Sequence, residues 1–388
     1  MKNQNWTRAV LALLLLLTGC AGFWDAPTSS STTTTTTLSS GIFYVLNQTA
    51  KTIVTYNISS GTLKTIASVT LPATPYSMAV APSGNFLYVG TVSGIYMYTI
   101  GSSGALTIGN SGNTISSDIA LAMQASSSWL IDAFVPSTGE VQLDAIAISS
   151  STGKATGTVE NQVYSVSSAA VEQMVLSPND DYLFVALGTG GTIAVPFTSG
   201  NTNPLSSTAQ GIAVANSGGS ALSVAVDPSS RLFYIGETLA NSAGTSGGLR
   251  AFYYSSLGST LTQASGSPIA SGGLAPHAIL PLAGGQYVYV ANGTGTTSAG
   301  KIEEFLISAS STTYTIAAEN SIATGIYPLG LAEDSDDNFV LAVSSGGSTS
   351  SGKPDLEAFT MSSGTLTAAI TSTTGTDPVG AIAIVALP

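Results

Sequence analysis

Pro75-Tyr76-Ser77-Met78-Ala79-Val80-Ala81-Pro82-Ser83-Gly84-Asn85-Phe86-Leu87-Tyr88-Val89 reads as an alternating strand, a Pro-Ser-Gly-Asn turn and a second alternating strand. Side chains of a strand alternate between its two faces, and Gly and Asn tolerate the left-handed backbone of a tight reversal. The stretch therefore predicts a β-hairpin. Related hairpins run from Gln173 to Val185, from Ser223 to Ile235, from Pro276 to Val290 and from Pro328 to Ala342. A degenerate copy runs from Asp118 to Ile131.

Anchoring each copy on the residue equivalent to Pro75 puts the starts at Pro75, Asp118, Val171, Ala221, Pro276, Pro328 and Pro378, spaced by roughly 50 residues, a period typical of repeat architectures. Each copy continues into a third strand, such as Gly94–Ile100. A short fourth strand follows a Ser/Gly turn, as in Gly104–Ile108. Four strands of meander per unit make a propeller blade. The seventh anchor begins one strand, Gly380–Ala386, and the chain stops. At the other end Gly41-Ile42-Phe43-Tyr44-Val45 reads like Asn85–Val89. It is followed by Thr52–Ile58 and Gly61–Ile66 as third and fourth strands. The expected fold is all-β: a seven-bladed β-propeller of four-stranded blades over residues 41–388, closed by pairing of the N- and C-terminal strands, which removes exposed sheet edges.

Composition agrees with strands and tight turns. Hydrophobic residues make up 44% of the 388 residues and charged residues only 8%, so Ser, Thr, Asn and Gly carry the solvation. Formal net charge is −12. A chain this acidic will not track nucleic acid or anionic lipid through its field, so no nucleic-acid partner is expected. The single cysteine, Cys20, excludes an internal disulfide and a thiol nucleophile in the propeller.

Lys2 and Arg8 precede an apolar run, Ala9 to Leu17, too short to span a bilayer as a helix but suited to a signal-peptide core. Leu17-Thr18-Gly19-Cys20 follows and resembles the bacterial lipobox. The resemblance implies a signal peptide over 1–19 and lipidation of Cys20. Ala21 after it points to the outer membrane. Residues 20–40 then form the lipidated Cys and a Ser/Thr-rich stalk, low in complexity and unable to bury a core. The expected location is an exported lipoprotein, facing the periplasm or on the outer-membrane surface. The membrane is its partner through the lipid, and the expected state is a monomer.

Blades that read Ala-x-x-Pro-Ser-Gly-x-Phe-Leu-Tyr-Val, with Tyr289-Val290-Ala291-Asn292 later on, resemble the lactonase-type seven-bladed propellers, among them the 6-phosphogluconolactonase family and the Tyr-Val-Thr-Asn repeats. Gly273-Leu274-Ala275-Pro276-His277 resembles their Gly-x-Gly-Pro-Arg-His stretch. The Arg is absent here, and Gly293 follows Asn292 where those enzymes often carry Glu. The resemblance implies a lactonase fold over 41–388.

A phosphorylated lactone needs Arg or Lys on its phosphate. The propeller has only two arginines, Arg231 in a hairpin turn and Arg250 at the start of a third strand. His277 is the single histidine, at an anchor position near the start of an inner strand. It is a candidate general base for lactone opening, with Glu172 at the equivalent position of another blade as acid or metal ligand. The alternative is a half-buried histidine closing the channel mouth. Glu333-Asp334-Ser335-Asp336-Asp337-Asn338 is the densest acid run. It aligns with the Pro-Ser-Gly turn of other blades and reads as a solvated turn, as does Asp180-Asp181, ahead of a calcium loop. Tyr76, Tyr96, Tyr98, Tyr253 and Tyr254 offer rings for sugars, although strand tyrosines usually pack between blades. No cofactor and no resident metal is expected. Two function classes stay open. The first is a surface-anchored binding or interaction module of the cell envelope, with a glycan or an envelope protein as partner; a structural or adhesion component differs from it only in partner. The alternative is a lactonase-like hydrolase opening a sugar or acyl lactone.

Overall fold

The computed structural model describes residues 41–388 apart from 60, 169, 255–259, 296–297, 311–312, 346–353, 371–377 and 379. The expected signal peptide, the lipidated Cys20 and the stalk over 20–40 lie outside the described residues.

Seven antiparallel sheets follow one another along the chain. Blade 1 pairs the C-terminal strand Ala381–Ala386 with Ile42–Asn47, followed by Thr52–Ser59 and Thr62–Thr70. Blade 2 holds Pro75–Val80, Phe86–Thr91, Gly94–Ile100 and Leu106–Ile108. Blade 3 holds Ala122–Ala125, Trp129–Phe134, Glu140–Ile148 and Ala155–Ser165. Blade 4 holds Gln173–Leu176, Tyr182–Ala186, Thr192–Pro196 and Gln210–Ile212. In blade 5, Ala221–Val226, Leu232–Glu237 and Gly248–Tyr253 are completed by two short pieces, Thr262–Gln263 and Ile269–Ala270, both paired to the third strand. Blade 6 holds Ala275–Pro281, Tyr287–Gly293, Ala299–Ser310 and Thr313–Ile326, and blade 7 holds Pro328–Glu333, Phe339–Ser344, Leu356–Ser362 and Thr365–Ile370. The fourth strands are not uniformly short. They run 3 residues in blade 2 and 14 in blade 6, because an outermost strand has a neighbour on one side only and its length is not fixed by the ring.

The alternation seen in the sequence has a packing cause. Both faces of each blade meet a neighbouring blade, and the described core falls into seven apolar clusters, one per interface. Ring closure is one of these interfaces: Phe43, Val45, Ala381 and Ile384 of blade 1 pack on Leu341, Val343 and Leu356 of blade 7. The second-strand tyrosines add a polar stitch. Tyr44 donates to the Gly104 carbonyl at 3.0 Å, Tyr88 to Gly153 at 2.9 Å and Tyr289 to Gly364 at 2.7 Å, each in the following blade. Asn292 of the Tyr-Val-Ala-Asn motif is fully buried and bonds Ser271 through both ends of its amide, so it serves the fold.

The hairpin turns repeat one backbone shape. Gly84, Asp180, Ser230, Gly285 and Asp337 all hold positive φ at the same turn position. Just upstream, one side chain accepts two amide protons. The Asp334 carboxylate takes those of Asn338 and Phe339, Asp227 takes those of Arg231 and Leu232, and Ser177 takes those of Asp181 and Tyr182. The acid run Glu333–Asn338 is thus a turn whose second carboxylate, Asp334, is bound to the backbone of the turn itself.

Candidate functional site in the central cavity

The innermost strands line a cavity of about 220 Å³. What aims side chains into it is a bulge repeated around the ring. In blades 2, 5, 6 and 7 the pairing of the first two strands skips one residue: Tyr76, Leu222, His277 and Leu329. In blade 1 the skipped residue is Ile382. In blades 3 and 4 Leu121 and Glu172 donate to the carbonyls of Ala133 and Ala186, which already pair with Ala122 and Gln173. A bulge of this kind sets two residues against one and re-aims the extra side chain. Six of these seven residues line the cavity, all but Leu222.

This register corrects two anchors. The residue equivalent to Pro75 is Ala120 in blade 3, not Asp118, and Ala381 in blade 1, not Pro378. Ser77 donates to the Ala120 carbonyl just as Ser223 donates to that of Pro276, both at 2.7 Å, which fixes the equivalence. Alignment by proline and spacing misses both, because backbone pairing sets the strand start and neither residue is a proline. Pro276 and Val171 keep their places, so His277 and Glu172 do stand at equivalent positions, two blades apart.

His277 and Glu172 are the ionisable side chains on the bulge ring apart from Tyr76, whose ring is also half exposed to the cavity. Around them the ring is aliphatic, and below it Met78, Met123, Met174, Ile279, Leu331 and Ile384 form an apolar floor. No ion pair joins His277 to Glu172. The His277 ring lies 4.5 Å, centroid to centroid, from Tyr327, and its Nε2 is buried without a hydrogen-bond partner. Burial lowers the imidazole below its usual range, since a second ring proton would also lack a partner. Desolvation also raises the Glu172 carboxyl above the ordinary carboxylate range. The polar neighbours are engaged elsewhere: Gln124 donates to the Met174 carbonyl and Gln173 accepts from the Val224 amide, each at 2.9 Å. The departure at Gly293 has a structural counterpart. A Cβ there would stand 3.5 Å from the Tyr327 ring that lies beside His277, an ordinary van der Waals contact.

No Arg or Lys lines the cavity. Arg231 is exposed in its turn. Arg250 is buried, pairs with Glu237 at 2.7 Å and bonds Gln263 and the Ala213 carbonyl. Among the described residues the cavity therefore combines a few polar side chains with apolar ones and has no Arg or Lys in its lining. Of the five tyrosines, Tyr76 reaches the cavity, whereas Tyr98 and Tyr254 are buried between blades.

Sequence reasoning missed Asp118, Asp132 and Asp144, which meet in blade 3. The signal was present but unread: the degenerate third copy stops matching one residue before Asp132.

Residues 32–379 match a family model described as lactonase, 7-bladed beta-propeller. No curated protein matches the chain. Among solved structures, a candidate 6-phosphogluconolactonase from Bacteroides fragilis is similar at 14% identity and TM-score 0.67, covering 92% of this chain and 99% of that one. A protein of unknown function from Desulfotomaculum acetoxidans is similar at 12% identity and TM-score 0.66, covering 90% of this chain and 100% of its own. The periplasmic gluconolactonase PpgL of Pseudomonas aeruginosa is similar at 17% identity and TM-score 0.65, covering 90% of this chain and 100% of its own. At these identities the likeness is one of fold.

Proposed function

We infer, from the premise that this chain belongs to the family of seven-bladed β-propeller lactonases, that it opens an unphosphorylated sugar or acyl lactone in the central cavity. The observation that carries the reading is the bulge ring: a mostly aliphatic mouth interrupted by His277 and Glu172, which face one cavity. Because Nε2 is buried, Nδ1 is the ring nitrogen that serves as base. Neutral imidazole removes a proton from water as the oxygen attacks the lactone carbonyl carbon. The tetrahedral intermediate collapses with cleavage of the ring C–O bond, and the leaving alkoxide takes back a proton, so the product is a hydroxy acid. The carboxyl of Glu172, held high by desolvation, is the second proton carrier. The absence of Arg and Lys from the lining supports an unphosphorylated ring as substrate.

A second reading, a binding module of the cell envelope held by a lipid on Cys20, is favoured by one feature. His277 Nε2 has no partner to orient it, whereas working bases are usually oriented by a third group. The two readings part on one assay. The protein is given a panel of sugar and acyl lactones, with and without a 6-phosphate, beside a His277→Ala variant. The hydrolase reading expects turnover of an unphosphorylated lactone, lowered at least about 100-fold in the variant, the usual scale for a general base. Absence of turnover above the spontaneous rate on every lactone would put the binding reading in its place.

A further inference from the structure

Asp132 stands where the repeat calls for an aliphatic side chain. Its counterparts in the register of the other blades are Val45, Val89, Val185, Ile235, Val290 and Ala342, each paired with the equivalent inner-strand residue. All six are buried core residues. Asp132 is buried as completely, at 0% exposure, yet it carries a carboxylate whose two oxygens both lack any hydrogen-bond partner. Across the sheet it pairs with Asp144, and Asp144 pairs with Asn161, so the three side chains share one face of blade 3. Leu130, Ile146 and Met123 on that face pack on Tyr88, Ile95 and Met97 of blade 2. Asp118 is added from the segment that joins blade 2 to blade 3, fixed by a hydrogen bond from Ser116. One carboxylate oxygen from each of Asp118, Asp132 and Asp144 lies within 4.8 Å of the others.

We propose that Asp118, Asp132 and Asp144 form a binding site for one hard divalent cation, calcium first, set between blades 2 and 3. Calcium holds oxygen ligands at about 2.4 Å, so oxygens on one ion lie no more than about 4.8 Å apart, which the three carboxylates satisfy. An oxygen-only donor set selects a hard ion over zinc or copper. Neither Asp132 oxygen has a hydrogen-bond partner, and one of them lies in the cluster. The partly exposed Asp118 gives the ion a way in, while Gln142, donating to Asp144 at 2.7 Å, orients a ligand from behind, as outer partners of metal ligands do. The site is separate from the central cavity, whose lining includes none of the three. The ion would pin the segment that precedes Leu121, one member of the bulge ring.

The test is isothermal titration of the full chain, stripped with a chelator, with calcium chloride, magnesium chloride and manganese chloride in turn, alongside thermal unfolding. The expected result is one ion per chain, calcium tightest, with a midpoint of unfolding raised by about 3 °C at a hundredfold excess over Kd. Asp132→Asn should lose both the binding and the shift while unfolding cooperatively. Should that variant fail to fold, Asp132→Val, which restores the side chain of the repeat, serves the same purpose. Wild-type protein that binds none of the three ions, or binding undiminished in a folded Asp132 variant, would overturn the proposal.

Discussion

The acid run Glu333–Asn338 and the trio Asp118, Asp132 and Asp144 are built from nearly the same residue types and end in opposite environments. In the run, Glu333 accepts from the Ala283 amide, Asp334 is met by two backbone amides, and the residues after them face solvent. In the trio, the acids come from three separate segments, and the central one has no donor. Crowding of acids along the chain therefore says little about a site in a repeat protein. Departure from the repeat is the feature both proposals rest on: Asp132 interrupts an aliphatic row, and His277 and Glu172 interrupt a largely aliphatic ring.

The sharpest way to test that contrast is to disturb acids with different partners. Glu237 is as buried as Asp132 but has Arg250 beside it. Arg250→Ala leaves that carboxylate in the core with only the Ala215 amide for a donor and should cost about 3–5 kcal/mol in chemical denaturation. A loss under about 1 kcal/mol would mean that Glu237 is neutral and the pair is no ion pair. Asp132→Val should move the other way in metal-free protein, stabilising it by about 1–3 kcal/mol, because it removes a buried carboxyl without a hydrogen-bond partner and restores packing. Asp334→Ala should destabilise by about 1–2 kcal/mol, the usual cost of losing a side chain that caps two amides. If the Asp132 and Asp334 substitutions shift stability in the same direction, the contrast fails. The smallest effect belongs to the mouth. On the hydrolase reading neutral His277 is the base, and burial lowers its imidazole below the usual 6.5. Lactone turnover should therefore hold as pH falls through 6.5 and decline only below it. A decline centred above 6.5 would assign the base elsewhere.

Much of this was legible in the chain. Prolines, Pro-Ser-Gly turns and alternating strands located the blades, and the half-blades at the two ends predicted the Ile42–Asn47 pairing with Ala381–Ala386 that the structure shows. The anchors of blades 1 and 3 were misplaced because hydrogen bonds, not prolines, set where an inner strand begins. His277 and Glu172 could be put at equivalent positions from spacing alone, since their blades keep the common register. The bulge that turns both toward one cavity was not readable, because it is a property of the pairing. The blade 3 acids were hidden for a related reason: cross-strand partners such as Asp132 and Asp144 meet only once the register is known.

The proposed function depends most on the bulge ring being the working mouth of the propeller. Its most direct test is a crystal structure of the protein with the hydroxy acid product of whichever lactone it turns over, or with gluconate if none is found. The account predicts the ligand in the central cavity, its carboxylate within hydrogen-bond reach of His277. Ligand seated only in the groove between the outer strands of blades 3 and 4, lined by Tyr164 and Thr208, with the central cavity empty, would contradict it.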